Sequence, residues 1–443
     1  MDQTTLMEQP VKKSFFQYTS LGVLSMIGTA VFILADTFFI ANGVGADGIG
    51  ALNIVLPLVN VFNGLGWMFG VGGATLFSIE KARGNIEDGQ ADFTLTAILT
   101  LIVSILFSIL TISFTEPILR FLGASGHILE MSASYYTVIM RFAPFFILNN
   151  MFITFMRNDN NPKLAMTAML SGGIVNIILD YIFIFPLNLG MRGAALATIA
   201  SPVVSMSVST LHLKNDSRQL MFKSFTVRIK KIIKIFSIGF SAFLNEFSSA
   251  VVMFLFNILL LQLVGNIAVS AYAIIANMNI VVIAIFTGIG QGFQPLVSMF
   301  YGARKQDKVK RVLKYALATA VGFGVLIFTI GFLFPDVIVA LFNKEQNQQL
   351  AALAVPGVVF YFSSFLFTGF NFAVIYFMSA VGRPRASLII SLLRGMLLIV
   401  PVLLFMSSWL GVTGVWLTMT VVEILTLLVS IFILYTYQKN YLN

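Results

Sequence analysis

Long apolar runs recur along the whole chain and limit the possible folds more than any other feature. A membrane-spanning helix needs about 20 residues. Runs of that order cover 15–41, 48–78, 94–115, 131–156, 163–186, 191–213, 235–263, 268–300, 312–334, 351–378, 386–407 and 411–436. They are too long for strands and too continuous for helices half in water. The second and eighth runs are long, so they read as tilted or as reaching past the bilayer. Composition agrees: of 443 residues 58% are hydrophobic and 10% charged. The mean hydropathy is +0.93. A soluble domain could not hide that apolar surface, and a disordered chain would not carry it. The reading is an all-α polytopic membrane protein of twelve transmembrane helices.

Charge predicts the orientation. With the N-terminus inside and the spans alternating, 22 of the 27 Lys and Arg fall in inner segments. Arg120, Arg192 and Lys344 fall outside, and Arg141 and Arg394 lie within spans. Such asymmetry predicts N-in and C-in. It also explains the net charge of +9 as a topology signal rather than a nucleic-acid surface. Residues 1–11 are polar and lack a cleavage pattern, so no signal peptide is expected. There is no Cys and there are only two His, His127 and His212. Disulfides, thiolate metal sites and a His-based metal centre are therefore not expected. Gly43 to Gly48 matches GxGxxG, but in an outer turn without a βαβ unit, and there is no Walker lysine; no nucleotide partner is expected. Asn215-Asp216-Ser217 is a glycosylation sequon on the expected inner side.

The second half echoes the first about 220 residues later. Gly70-Val71-Gly72 pairs with Gly290-Gln291-Gly292, Ala82-Arg83 with Ala303-Arg304, and Pro162 with Pro384. Leu189-Gly190 and Gly193 pair with Leu410-Gly411 and Gly414. With six spans per half, the repeat keeps its direction in the membrane. The expected domains are an N-terminal six-helix bundle (1–213), a basic amphipathic linker on the inner face (214–234) and a C-terminal six-helix bundle (235–443). Two such pseudo-symmetric bundles form a transporter layout in which one bundle rocks against the other.

Ionisable side chains inside spans are costly and ask for a reason. Asp36 and Asp180 lie at similar depth near the outer ends of spans 1 and 5. Asn176 shares the Asp180 helix face at i,i+4, and Ala194 and Thr198 are spaced likewise in span 6. Two carboxylates, an amide and a hydroxyl at one level form a set able to hold Na⁺ or to share a proton; the bland alternative is a structural polar cluster. Glu246 in span 7 is a candidate for a cationic substrate or a proton, or else a partner of Arg141. Asn149 and Gln291 are candidate cavity residues. Arg394 and Glu423, near mid-bilayer in adjacent antiparallel spans, predict a structural ion pair. Pro57, Pro144, Pro202, Pro295 and Pro401 predict kinks.

The carriers Ala35-Asp36-Thr37, Asn176-Ile177-Ile178-Leu179-Asp180 and Gly193-Ala194-Ala195-Leu196-Ala197-Thr198 resemble the MATE (multidrug and toxic compound extrusion) family, specifically its prokaryotic branch with an N-terminal-bundle cation site. The resemblance spans essentially the whole chain. It implies H⁺- or Na⁺-coupled antiport of cationic amphipathic compounds across a bacterial cell membrane, by a transporter rather than an enzyme. It also implies a cation site made of Asp36, Asn176, Asp180, the Ala194 backbone and Thr198, with no cofactor besides the coupling ion. A monomer suffices mechanically. Some relatives bend the first helix at a proline, where this chain has only Gly22 and Gly28; others use a span-10 carboxylate, where this chain has Asn371. The alternative is a lipid-linked glycan flippase, which should show a basic cavity; span-internal basic residues here are only Arg141 and Arg394. A receptor or enzyme reading finds no catalytic motif.

Overall fold

The computed structural model describes residues 3–215, 218–225, 227–343 and 346–442. Lys344, Asp216 and Ser217, which entered the charge and sequon arguments, lie outside them, as does Thr226 of the linker. The described chain is helical with no strand. After a short N-terminal helix, Gln3–Glu8, the first half holds α1 (Val11–Gly43), α2 (Ala46–Ala82), α3 (Ile86–Ser113), α4 (Gly126–Asn158), α5 (Pro162–Ile184) and α6 (Gly190–Ser209). The second half holds α7 (Ile229–Leu263), α8 (Asn266–Gly302), α9 (Gln306–Leu333) and α10, a pair Gln348–Phe362 and Phe365–Ala380 bent by 43°. Next comes a 57-residue apolar stretch, Pro384–Asn440. At 1.5 Å per residue a straight helix of that length would reach roughly 85 Å, far beyond a bilayer. It breaks at Gly411, whose φ of 57° only a glycine adopts readily. The arms, α11 (residues 384–410, with a π-helical turn at Leu393–Leu397) and α12 (412–437), fold back on each other. Ten helices and the bent pair, with this stretch counted as two arms, give the twelve expected spans.

The repeat keeps register within each helix pair, and it corrects one expected pairing: Arg304 stands opposite Gly84, not Arg83. α2 and α8 each have 37 residues and α3 and α9 each have 28; their starts and ends differ by 220. For α4 and α10 and for the starts of α5 and α11 the offset is 222, and at the positive-φ glycines Gly190 and Gly411 it is 221. Both described termini lie on one side of the bundle, here the terminal face.

The repeated glycines are where the halves touch. A Cβ on Gly72 would sit 2.0 Å from the Ile235 carbonyl oxygen, and one on Gly239 1.8 Å from that of Met68, so α2 and α7 meet backbone to backbone. On the other side Gly22 meets Gly288, and Gly292 meets Thr19, which docks α1 on α8. Without a hydrophobic drive between helices in lipid, such small-residue contacts hold spans together. Gln294 donates to Thr75 (2.8 Å) across the same seam. These contacts all lie on the terminal side of mid-helix.

The linker is shorter than the expected 214–234, because Ile229 already begins α7. Its described residues 218–225 and 227–228 are not helical. The basic chain lies on protein instead: Lys223 pairs with Glu87 (3.0 Å) and Lys231 with Asp92 (2.6 Å) at the start of α3. Buried Asp159, between α4 and α5, anchors it. Its carboxylate accepts from Lys81 Nζ (2.8 Å), His212 Nε2 (2.9 Å) and the backbone N–H of Gln219 (2.9 Å) and Leu220 (3.2 Å). Asn161 Oδ1 caps α5 by accepting from Leu164 N, so its amide nitrogen faces His212 Nδ1. That arrangement fits the Nε2–H tautomer of His212. Burial raises the Asp159 pKa, but the His212 and Lys81 contacts outweigh it and hold the carboxyl below its ordinary 3.8. A depressed carboxyl stabilises the fold above its unfolded value and stops doing so as pH falls through the folded value. The anchor is therefore expected to persist down to about pH 4, measured as protease resistance of the linker; loss of resistance near pH 6 would contradict it. Asp159→Asn leaves Lys81 buried and unpaired, an expected loss of about 3–5 kcal/mol.

Candidate functional site

α1 and α5 approach closely because of three glycines. A Cβ on Gly28 would lie 2.2 Å from Leu170 Cδ2, one on Gly43 2.2 Å from Ile184 Cγ2, and one on Gly173 3.2 Å from Phe32. Gly172 does the same for α5 and α6, against the Ser201 carbonyl. This packing brings Asp36 and Asp180 side by side. Asp180 and Asn176 have no solvent exposure and Asp36 is 9% exposed. Asp36 Oδ1, both Asp180 oxygens and both Asn176 amide atoms find no hydrogen-bond partner among the described residues.

Two adjacent carboxylates are acceptors only, so neither can satisfy the other. An orphaned buried polar group costs about 1–3 kcal/mol, and a charged one more. A proton shared between the acids removes that cost, and so does a cation held by their oxygens. The donor set is hard oxygen, which suits Na⁺ or H⁺ rather than a thiolate- or imidazole-seeking metal. No group of three His, Cys, Asp or Glu able to hold a metal ion occurs among the described residues.

Thr198 is on the α6 side of the pocket, but its hydroxyl donates to the Ala194 carbonyl (2.9 Å), so both candidate oxygens are engaged with each other. The sequence reading missed Tyr135. This buried α4 residue lies beside Asp36 and Asp180 with its hydroxyl directed to Thr198. The available signal was a tyrosine inside a span, whose hydroxyl needs a partner. Asp36, Asp180, Thr198 and Tyr135 all lie four to nine residues from the helix ends at the face opposite the termini.

The repeat supplies an internal control. Applying its offsets, the second-half counterparts of Asp36, Asn176 and Asp180 are Phe256, Leu398 and Val402. The architecture therefore folds without acids at this place, and the polar pocket is particular to the first half.

Of the other candidates, Glu246 and Gln291 both lie against Tyr376 of α10, and the rest are elsewhere. Glu246 lies on α7 beside Gly64 of α2 and near Tyr376 of α10, with no ion-pair partner among the described residues. Arg141 is exposed on α4 and forms no ion pair with it. Gln291 is committed: it accepts from Arg157 across the seam. Counted among the inner segments, Arg157 is instead buried in the last turn of α4. Asn149 has an unpartnered carbonyl. Arg394 and Glu423 do form the expected pair, at 2.6 Å, which also places the α11 and α12 arms side by side. Asn371 donates to the other Glu423 oxygen (2.7 Å), and the Phe372 ring lies 4.3 Å from the Arg394 guanidinium carbon. Glu423→Gln strands a buried cation and is expected to cost about 3–5 kcal/mol, read as a lower unfolding midpoint in detergent. An unchanged midpoint would show that Arg394 finds water or lipid phosphate instead.

Two pseudo-symmetric six-helix bundles with a buried acid pair in one of them define a membrane transporter of the internal-repeat class. Comparison with known proteins gives the family. The MatE family model matches residues 22–182 and 241–406, one block on each half. The chain belongs to the MATE family and is a multi-pass protein of the cell membrane. It is 27% identical over 434 residues to the multidrug export protein MepA of Staphylococcus saprophyticus, covering 96% of this chain and 94% of that protein. MepA of Staphylococcus aureus strain MSSA476 is likewise 27% identical, over 97% and 94%. Among solved structures, a multidrug resistance MATE family transporter of the MOP superfamily in an outward-facing conformation superposes with a TM-score of 0.91 at 22% identity, covering 98% and 97% of the two chains. The Vibrio cholerae MATE transporter VcmN, as an Asp-to-Asn mutant, gives 0.90 at 20%, covering 98% of each.

Proposed function

We propose that the chain is a secondary active exporter in which H⁺ or Na⁺ entering the Asp36–Asp180 pocket drives cationic amphipathic compounds out of the cell by alternating access. One observation carries this reading: Asp36 Oδ1 and both Asp180 oxygens are buried without a hydrogen bond, and this acid pair occurs in one half only. Without a cation the pocket is an excess of negative charge, which attracts a positive substrate. A proton or Na⁺ there cancels that charge and favours substrate release. Competition for the same charge makes the exchange an antiport. Asn176 and Tyr135 border the pocket and bring polar groups to the incoming ion; Thr198, whose hydroxyl donates to the Ala194 carbonyl, keeps its oxygen lone pairs for the ion. Glu246, Asn149 and Gln291 line the path between the halves. The MepA relatives, multidrug export proteins by name, support export of drugs. A glycan flippase needs several basic groups in its cavity, and buried Arg157 adds one that is already bonded to Gln291.

The terminal face is cytoplasmic in this reading, and the glycine seam closes that side. The absence of native cysteine gives a clean orientation test. Arg120→Cys is expected to react with an impermeant maleimide in intact cells, and Lys163→Cys only after the membrane is opened. The reverse pattern would invert the topology. Function is tested by loss of a fluorescent cationic dye from cells, with Na⁺ and pH varied separately. The ion that sets the rate identifies the coupling cation. Dye retention equal to that of empty cells, with the protein confirmed in the membrane, would overturn export of that dye class.

A further inference from the structure

The two halves place the same corner at the terminal face: the turn between the second and third helices of each. In the first half, the start of α3 carries Glu87, Asp88 and Asp92, and the linker and the start of α7 cover it through the Lys223–Glu87 (3.0 Å) and Lys231–Asp92 (2.6 Å) pairs. In the second half, the corner has the opposite sign. Arg304, Lys305, Lys308 and Arg311, with Gln306 and Asp307, line a cleft of about 480 Å³. Arg304, Lys305 and Arg311 are exposed and form no ion pair among the described residues. Lys308 donates to the Met7 carbonyl oxygen of the N-terminal segment, and Glu8 is the acid beside it. The acidic corner thus has a cover of opposite charge, and the basic one is left with surplus positive charge.

A second feature concerns the backbone. Arg304 adopts the left-handed conformation, with φ of 55°. At the repeat offset of 220, the first half has Gly84 there, with φ of 88°. Glycine takes this conformation without strain and arginine does not. Strain held at such a position is characteristic of a site that needs the side chain. Topology alone asks only that the loop be basic, which Lys305 and its neighbours already secure.

We propose that this α8–α9 corner is a binding site for the phosphate of an anionic phospholipid in the adjacent leaflet. The cleft sits where α8 ends and α9 begins, at the level of lipid headgroups. A planar guanidinium donates paired N–H bonds to phosphate oxygens, and the α9 N-terminus adds backbone N–H groups of the same polarity.

The test uses the full chain in detergent, with phosphatidylglycerol, phosphatidylcholine and inorganic phosphate as probes and lipid binding read by native mass spectrometry. One variant is Arg304→Gln/Lys305→Gln/Arg311→Gln. A control removes three exposed cations elsewhere on the same face, Lys12→Gln/Lys13→Gln/Lys163→Gln. Phosphatidylglycerol binding is expected to weaken about a hundredfold in the first, since three cations acting on one headgroup contribute about fivefold each, and only a few-fold in the second, whose cations do not line the cleft. Equal weakening in both variants would reduce the corner to general attraction between the face and anionic lipid. Binding of phosphatidylcholine as tight as phosphatidylglycerol would remove the charge selectivity. Occupancy by inorganic phosphate at matched concentration would make the ligand a free anion rather than a lipid. Gel filtration confirms that both variants stay folded; the replaced residues are exposed, so neither removes core packing.

Discussion

Asp180→Asn is expected to abolish cation-driven extrusion while the protein stays in the membrane at wild-type abundance. The argument rests on the pairing of Asp180 with Asp36 in a buried pocket where Asp36 Oδ1 and both Asp180 oxygens are left without a hydrogen bond. An asparagine at 180 supplies an N–H₂ group that can donate to the Asp36 carboxylate. The pocket becomes self-satisfied and no longer needs a cation. Coupling free energies between two sites are typically about 1–3 kcal/mol, a factor of about 5–150. In the wild type, saturating the coupling ion should weaken substrate binding by a factor in that range, and in the variant by none. The unfolding midpoint should hold or rise, because an orphaned acid has gained a partner. That sign separates the two readings of the pocket. Were the acids a structural cluster, midpoint and transport would fall together. Asp36→Asn is expected to behave alike.

Gly239→Val is the second large effect, and it acts far from that pocket. A Cβ there would lie 1.8 Å from the Met68 carbonyl oxygen and 2.7 Å from its carbon. Both atoms are backbone of α2, so α7 must move away. Overpacking of this kind costs about 1–3 kcal/mol, enough to shift a two-state population by a factor of about 5–150. The seam at the terminal face should open, and dye extrusion should fall to background. Cation binding at Asp36 and Asp180 should survive, because α7 does not contribute to that pocket. Spin labels on Lys163 and Arg385, in the two halves at this face, should report a longer distance than in the wild type. Gly322→Ala is the control: no atom lies within 4 Å of its added Cβ, so transport should be unchanged. An unaltered distance in Gly239→Val would mean that the seam is not where the halves separate.

The spans, the repeat and the level of the acids were legible because they follow from one-dimensional signals. Apolar length sets a span, charge sets alternation, and residue count from a helix end sets depth. Asp36, Asp180, Asn176 and Thr198 were placed toward one end of the bundle this way. Direction around a helix is a weaker signal in a membrane, where lipid and protein both accept apolar side chains. Tyr135 was missed for that reason, and so was the contact of Gln291 with Arg157. Arg157 itself sits at a helix end, where counting cannot tell a loop cation from one tucked inward. The Lys81–Asp159–His212 anchor joins positions 78 and 53 residues from the aspartate. No local pattern announces such a contact. The Gly411 break was visible as a glycine, but the fold-back needed the Arg394–Glu423 pair to fix it.

Reconstitution into sealed vesicles tests the central claim most directly. An imposed Na⁺ or pH gradient should drive a fluorescent cationic dye against its own gradient in wild-type vesicles. A dye gradient should in turn move the same ion the opposite way. Asp180→Asn vesicles should do neither. Dye movement that is indifferent to both gradients, or equal in wild type and variant, would contradict coupling through the Asp36–Asp180 pocket.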